Sequence, residues 1–465
     1  MKAGTYLFIV VALAASLALM ACSSGGDGDG DGGPGDGGAD GGDTSPEPDG
    51  TSCELGLPLP VGNPSGVDGA IDPPGEVDHY LVDLEEGVFY MFYTVANPND
   101  DLEMIDTVIS LYTPDGNTLL ATGDDAVPRV STDTELFYRA AETGQVCLKL
   151  EEFTTWYGEA AEGGPTFTYK VIATDLEDEQ PENNEDAEPN DSAGAAQELT
   201  FQTGTGGNYA YLYGTFATAD DVDVYAFTQG ASEVNTYLYF MPDGPGGFGD
   251  GAEQGHGSTA DLGLVNVSDM EGNLLASLDV SLGSDSLGLP LDPGSEVAIW
   301  VQRPAGSSTG GNDFYFLKQT NLQTDNDREG EDADGTNDTA ATAESLSFSE
   351  GSAYVLGFID PVSDVDYFSF TASAGDTFNI ACGSIRSGSG LEDVTFAVHA
   401  EDDSVVRSET ETATADVLWI DDYPDASDDA LTISEAGTYY LVVSAGGQSP
   451  DVSSNFYRCG VHEVE

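Results

Sequence analysis

The chain has 465 residues, with 85 Asp or Glu against 11 Lys or Arg, a formal net charge of -74. That balance excludes direct nucleic-acid binding, because neutralising phosphates takes clustered cations. It also makes a compact state self-repulsive unless salt or divalent cations screen it. With 39% hydrophobic residues the chain can fill several ordinary cores.

An apolar run from Leu7 to Met20, broken only by Ser16, follows Met1 and Lys2. It is too short to span a bilayer comfortably but suits a signal-peptide core. The run ends in Leu19, Met20, Ala21 and Cys22, which resembles the lipobox of bacterial lipoproteins. The resemblance implies a signal peptide over residues 1–21, cleavage before Cys22, and lipidation of its thiol and new amino group. Several acyl chains at about 0.8 kcal/mol per buried CH₂ make a stable membrane anchor. Ser23, where an Asp would retain the protein at the inner membrane by analogy, points to the outer membrane or cell surface of a bacterial envelope.

Residues 22–50 carry the lipidated cysteine and a Gly/Asp-rich stretch. Asp27, Asp29 and Asp31 alternate with glycines like half of an EF-hand loop. Position 12 of such a loop is Gly38, however, and no apolar periodic segment flanks it. Nothing here can pack, so the stretch reads as a disordered tether with an r.m.s. span of roughly 30 Å.

An internal repeat dominates the rest. "GAIDPPGEVDHYLVDLEEGVFY" begins at Gly69, "GTFATADDVDVYAFTQGASEV" at Gly214 and "GFIDPVSDVDYFSFTASAGDTF" at Gly357. Each has a glycine, an acidic turn, then paired acids at Glu76/Asp78, Asp221/Asp223 and Asp364/Asp366. Tyr80 and Val82, Tyr225 and Phe227, and Phe368 and Phe370 then fall at alternate positions and share one face, as in a half-buried strand. "EPNDSAGAAQEL" and "GTNDTAATAESL" lead into the second and third copies, while D-G and E-G turns mark hairpins in the first two. Each copy closes on a strand after a turn glycine, "GQVCLKL", "GSEVAIWV" and "GTYYLVVSAG".

Short sequential strands without helical periodicity predict an all-β chain of three tandem antiparallel β-sandwich, jelly-roll-like domains. Their bounds are 51–175, 186–320 and 334–465, with acidic linkers at 176–185 and 321–333 acting as charged, extended spacers unless calcium folds them back. Besides Cys22, four cysteines allow three connectivities. The domain positions favour Cys53–Cys147 and Cys382–Cys459, and secretion supplies the oxidising compartment.

The order of these elements resembles the bacterial pre-peptidase C-terminal domain, and is similar to the collagen-binding domains of clostridial collagenases. The resemblance covers nearly all of residues 51–465 as three copies. In the collagen-binding relatives the acidic lead-in folds against the D-x-D turn to hold calcium. Carried over, this implies Ca²⁺ ligands at Asp186, Glu188, Asn190, Asp191, Asp221 and Asp223, and a weaker set at Asn337, Asp338, Asp364 and Asp366. Oxygen ligands of this kind suit a hard cation. The plainer alternative is that these side chains cap turns through backbone hydrogen bonds.

No H-E-x-x-H, G-x-S-x-G or P-loop occurs, and the four histidines lie in unrelated contexts. The expected protein is therefore not an enzyme. Tyr209, Tyr211 and Tyr213 share one strand face, and the collagenase relatives grip their ligand with strand tyrosines; core packing is the alternative. Trp156, with Phe153 and Tyr157, is a second candidate binding patch, again against edge packing. The expected function is a non-catalytic surface lipoprotein presenting calcium-stabilised modules to an extracellular polymer or protein. The alternative is an accessory or targeting subunit of a secreted peptidase.

Overall fold

The computed structural model describes residues 50–96, 105–123, 133–176, 180, 182–204, 207–231, 235–239, 257–260, 264–279, 286–303, 312–322, 337–348, 351–384, 388–410, 417–419, 430–449, 452 and 454–464. The leader and Cys22 lie outside them, as does the linker beyond Leu322. The described chain is almost wholly β. The strands form two compact units, one holding the sheets of residues 57–175 and the other those of residues 183–463.

One arrangement recurs in all three copies. The D-x-D strands are Val77–Leu84, Val222–Thr228 and Val365–Ala372. Each lies between a two-residue lead-in strand, paired parallel, and the closing strand, paired antiparallel. The closing strands are Gly144–Glu152, Glu296–Gln302 and Gly437–Gln448. Beyond each lies a hairpin, such as Thr107–Tyr112 with Leu119–Gly123. The lead-in contacts make these sheets mixed rather than purely antiparallel.

The glycine-bearing strands Val67–Ala70, Gly207–Thr215 and Ser352–Phe358 belong to the facing sheets. Each pairs antiparallel with the last strand of its copy, Thr168–Asp175, Phe314–Leu322 or Phe456–Glu463. Alternation along the strands fills the space between facing sheets. In the first copy Tyr80, Val82, Leu148 and Leu150 from one sheet meet Phe92, Tyr138, Tyr169 and Val171 from the other. In the last, Phe368, Phe370, Leu441 and Val443 meet Val355, Ile380, Tyr457 and Val461. Disulfides Cys53–Cys147 and Cys382–Cys459 close chain separations of 94 and 77 residues, each within one copy.

One spacer expectation is corrected. Asn183–Glu185, placed by sequence in an acidic linker, is a strand paired with residues 211–213. Buried Asn184 fixes it there: its amide donates to the Glu182 and Thr200 carbonyls, and its side-chain oxygen accepts from the Thr200 amide at 2.8 Å. The second and third copies also touch, while the predicted spacer at 321–333 lies outside the described residues from residue 323 on. The Ser277 amide donates to the Gly388 carbonyl at 3.0 Å, and the Arg458 guanidinium fills the space beside Gly288 where a Cβ would stand.

Candidate metal centre

In every copy the repeat glycine faces a tyrosine that opens the last strand. Gly69 is in register with Tyr169, Gly214 with Tyr315 and Gly357 with Tyr457. A Cβ on Gly69 would overlap the Tyr169 ring, and one on Gly214 would lie 2.5 Å from the Asp186 Cβ and 2.7 Å from the Tyr315 hydroxyl. Glycine stands there because a neighbouring ring already occupies the side-chain volume.

The ring carries its hydroxyl toward the second Asp of the D-x-D strand, which is buried in all three copies: Asp78, Asp223 and Asp366. Tyr169 donates to Asp78, and Tyr457 donates to Asp366 at 2.7 Å. The middle copy differs. The Tyr315 hydroxyl pairs with that of Tyr225 at 2.6 Å, and neither Asp223 oxygen meets a donor in hydrogen-bonding geometry. In the last copy Phe368 occupies the place of Tyr225, and in the first copy Tyr80 does; there the Tyr80 and Tyr169 hydroxyls pair at 2.7 Å while Tyr169 also donates to Asp78.

The acidic lead-in of the middle copy folds over this carboxylate. Asp186 continues the Asn183–Glu185 strand, its amide donating to the Tyr213 carbonyl at 2.8 Å. The Asn190 side-chain amide donates to Asp186 at 2.8 Å, and its backbone amide donates to Glu188 at 3.0 Å. Asn190 is fully buried, and its side-chain oxygen has no donor. Oxygens of Asp186, Glu188 and Asp223 fall within 4.8 Å of one another, as do those of Glu188, Asp191 and Asp221.

The electrostatics of the corner follow from this crowding. Burial first, and then the Asp186 carboxylate, push the Asp223 pKa up to about 8, against a smaller lowering by Tyr315. Burial likewise raises Asp186 to about 6, partly offset by the Asn190 hydrogen bond and reinforced by Glu188 and Asp221. Half-buried Asp186 and buried Asp223, held this close, favour their protonated forms unless a cation replaces the protons. The donors are all oxygens, and the unsatisfied ones are Asp223 Oδ1, Asp223 Oδ2 and Asn190 Oδ1, so the residues fit a hard divalent ion.

The weaker predicted set is gathered less completely. Asn337, Asp364 and Asp366 are buried while Asp338 is exposed. Both Asn337 side-chain polar atoms lack hydrogen-bond partners, and its carbonyl accepts from the Tyr367 amide at 3.0 Å. Among the described residues, the three-carboxylate groupings fall only in the middle copy.

Of the aromatic candidates, Tyr211 and Tyr213 are buried, with ring centroids 5.6 and 6.1 Å from Phe316. Tyr209 is half-buried against Tyr211. Trp156 is exposed. Sequence reasoning passed over Tyr169, Tyr315 and Tyr457. Their signal is a phenylalanine one or two residues ahead, at Phe167, Phe314 and Phe456.

The bacterial pre-peptidase C-terminal domain pattern matches residues 364–445. No curated protein matches the chain. Among solved structures, the periplasmic inhibitors of g-type lysozyme from Salmonella Typhimurium and Aeromonas hydrophila are similar at 16% and 15% identity. Each aligns with 26% of this chain, covering 98% and 96% of its own length, with a TM-score of 0.18. The CUB1-EGF-CUB2 region of human MASP-1/3 aligns at 10% identity over 55% of this chain and 99% of its own, with a TM-score of 0.17. Likenesses this slight carry no functional argument. The disulfides and the domain match place the chain among secreted or envelope proteins. No helix among the described residues is long and apolar enough to cross a membrane.

Proposed function

We propose that this chain is a lipid-anchored protein of the bacterial cell envelope, built from three tandem pre-peptidase-type modules, that binds an extracellular polymer or protein without catalysis. Cys22 carries the anchor and residues 23–50 form the stem. In the middle module Ca²⁺ is held by Asp186, Glu188, Asn190, Asp191, Asp221 and Asp223, and supplies the positive charge that joins the lead-in to the D-x-D strand. The observation that carries the cation reading is Asp223, 0% exposed with no donor for either oxygen. A bound ion stabilises the folded state by mass action, about 2.7 kcal/mol at a hundredfold excess over Kd. Millimolar Ca²⁺ is therefore expected to raise the melting temperature of the parent chain but not that of an Asp221→Asn, Asp223→Asn double variant. Identical responses would sink the cation reading.

The match at residues 364–445 supports a second reading, an accessory or targeting subunit of a secreted peptidase. Capture of the protein from its native surface separates the two: a co-purifying peptidase favours the accessory role, and a polymer matrix or non-peptidase partner favours display.

A further inference from the structure

The helix Phe153–Tyr157 buries none of its residues, yet three of its five are aromatic. Trp156 and Tyr157 are 42% and 65% exposed. Both lean on Phe153, at centroid distances of 5.9 and 5.5 Å, and Tyr157 is stacked within 12° of its plane. A helix this short does not persist by itself. Its ends hold it instead: buried Glu152 accepts from the Thr154 amide at 2.8 Å and from the Thr154 hydroxyl. Gly158, at φ 85°, returns its amide to the Thr154 and Thr155 carbonyls.

The following loop folds back on the helix. The Glu159 amide donates to the Thr154 carbonyl at 2.8 Å, and the Glu162 amide to the Thr154 hydroxyl at 3.1 Å. Glu159 and Glu162, both exposed, are thereby anchored through their backbone to the helix. The last copy joins its closing and final strands through residues 449–455, whereas the first takes residues 153–167. The aromatic helix is thus an addition to that shared connection rather than something the fold requires.

We propose that Phe153, Trp156 and Tyr157 form a docking knob for a Lys- or Arg-bearing segment of a partner protein. Exposed Trp and Tyr are the residues that most often dominate interfaces, and a knob already ordered by its caps loses little entropy on binding. Electron-rich ring faces attract a cation, and exposed Glu159 and Glu162, which follow the helix in the chain, add negative charge to the same segment. A chain of net charge -74 repels acidic polymers and steers basic partners toward it. The inference rests on reading the chain as a non-catalytic binding protein.

The test uses the full chain and a labelled decalysine peptide, followed by fluorescence anisotropy at about 0.15 M salt, where long-range attraction is largely screened. Trp156→Ala with Tyr157→Ala leaves net charge unchanged and is expected to weaken binding at least about tenfold. Its melting temperature stays at the parent value, since neither side chain is buried. Glu159→Gln with Glu162→Gln is expected to weaken binding severalfold, and Trp156→Phe with Tyr157→Phe to retain most of it. Equal affinity of the parent and the alanine variant would reduce the attraction to net charge and overturn the proposal. So would failure of the parent to bind, or equally tight ring-dependent binding of a neutral oligosaccharide. Cleavage of the peptide, read by mass spectrometry, counts against the non-catalytic reading, and a missing Ca²⁺ melting shift counts against the cation reading alone.

Discussion

Tyr169 stands directly across the ladder from Gly69, and its ring fills the volume a side chain at residue 69 would need. Adding a methyl group there drives the ring toward buried Asp78, to which its hydroxyl donates. Gly69→Ala is expected to cost about 1–3 kcal/mol, the usual range for overpacking. Gly214→Ala should cost at least as much, because both Asp186 and Tyr315 crowd that position. Gly144, with nothing within 4 Å of its Cβ direction, is the control, and Gly144→Ala should be near neutral. Denaturant midpoints for the three variants check the ranking.

The Tyr457 hydroxyl donates to Asp366, which is 0% exposed, at 2.7 Å. Tyr457→Phe keeps a ring at the position across the ladder from Gly357 and deletes only that donor. The expected loss is about 1–3 kcal/mol, since a buried acceptor is left without its donor. Equilibrium unfolding at neutral pH measures it, and a loss below about 0.5 kcal/mol, the ordinary surface range, would show that the contact is dispensable.

The glycine and the D-x-D strand were legible in the sequence because they recur with the alternation of a half-buried strand. Tyr169, Tyr315 and Tyr457 were not. Each meets its aspartate only after the chain has traversed the whole sandwich, and an aromatic in an alternating strand looks like any core residue. The acidic lead-in was equally visible before Asn190 and before Asn337. Which copy leaves its aspartate without a donor does not follow from the residue at the Tyr225 place: in the first copy Tyr169 pairs with Tyr80 and still donates to Asp78, whereas in the middle copy Tyr315 pairs with Tyr225 and neither Asp223 oxygen accepts a hydrogen bond. Asn184 was hidden for another reason. In a run of acids and amides it reads as solvated linker, and only its bonds to the Glu182 and Thr200 backbone reveal a strand.

Each disulfide ties a large loop, of 94 residues for Cys53–Cys147 and 77 for Cys382–Cys459. Cross-links of this span restrict the unfolded chain, and removing one commonly costs about 2–5 kcal/mol. Replacing either pair by serines is expected to lower the unfolding midpoint by an amount in that range. The two losses should appear independently, because the pairs lie in different compact units. Unfolding followed separately in the two paired-serine variants checks this.

Two buried groups make the stability of the cation-free chain depend on pH in opposite senses. His462, 7% exposed, has its pKa pushed down to about 4 by burial. The folded chain therefore binds its proton less readily than the unfolded chain, and stability is lost as pH falls from about 6.5 toward 4, by about 3 kcal/mol. Asp223 works the other way. Its pKa of about 8 means the folded chain holds a proton that the unfolded chain has released, so stability is lost as pH rises from about 4 through 8. The variants separate the two terms. His462→Asn should flatten the acid side of a melting profile taken in chelator, and Asp223→Asn the alkaline side. Ca²⁺ should restore the parent on the alkaline side only, because it replaces the proton that Asp223 and Asp186 release. A parent whose chelated and Ca²⁺-loaded profiles coincide above pH 7 would remove Asp223 from the account.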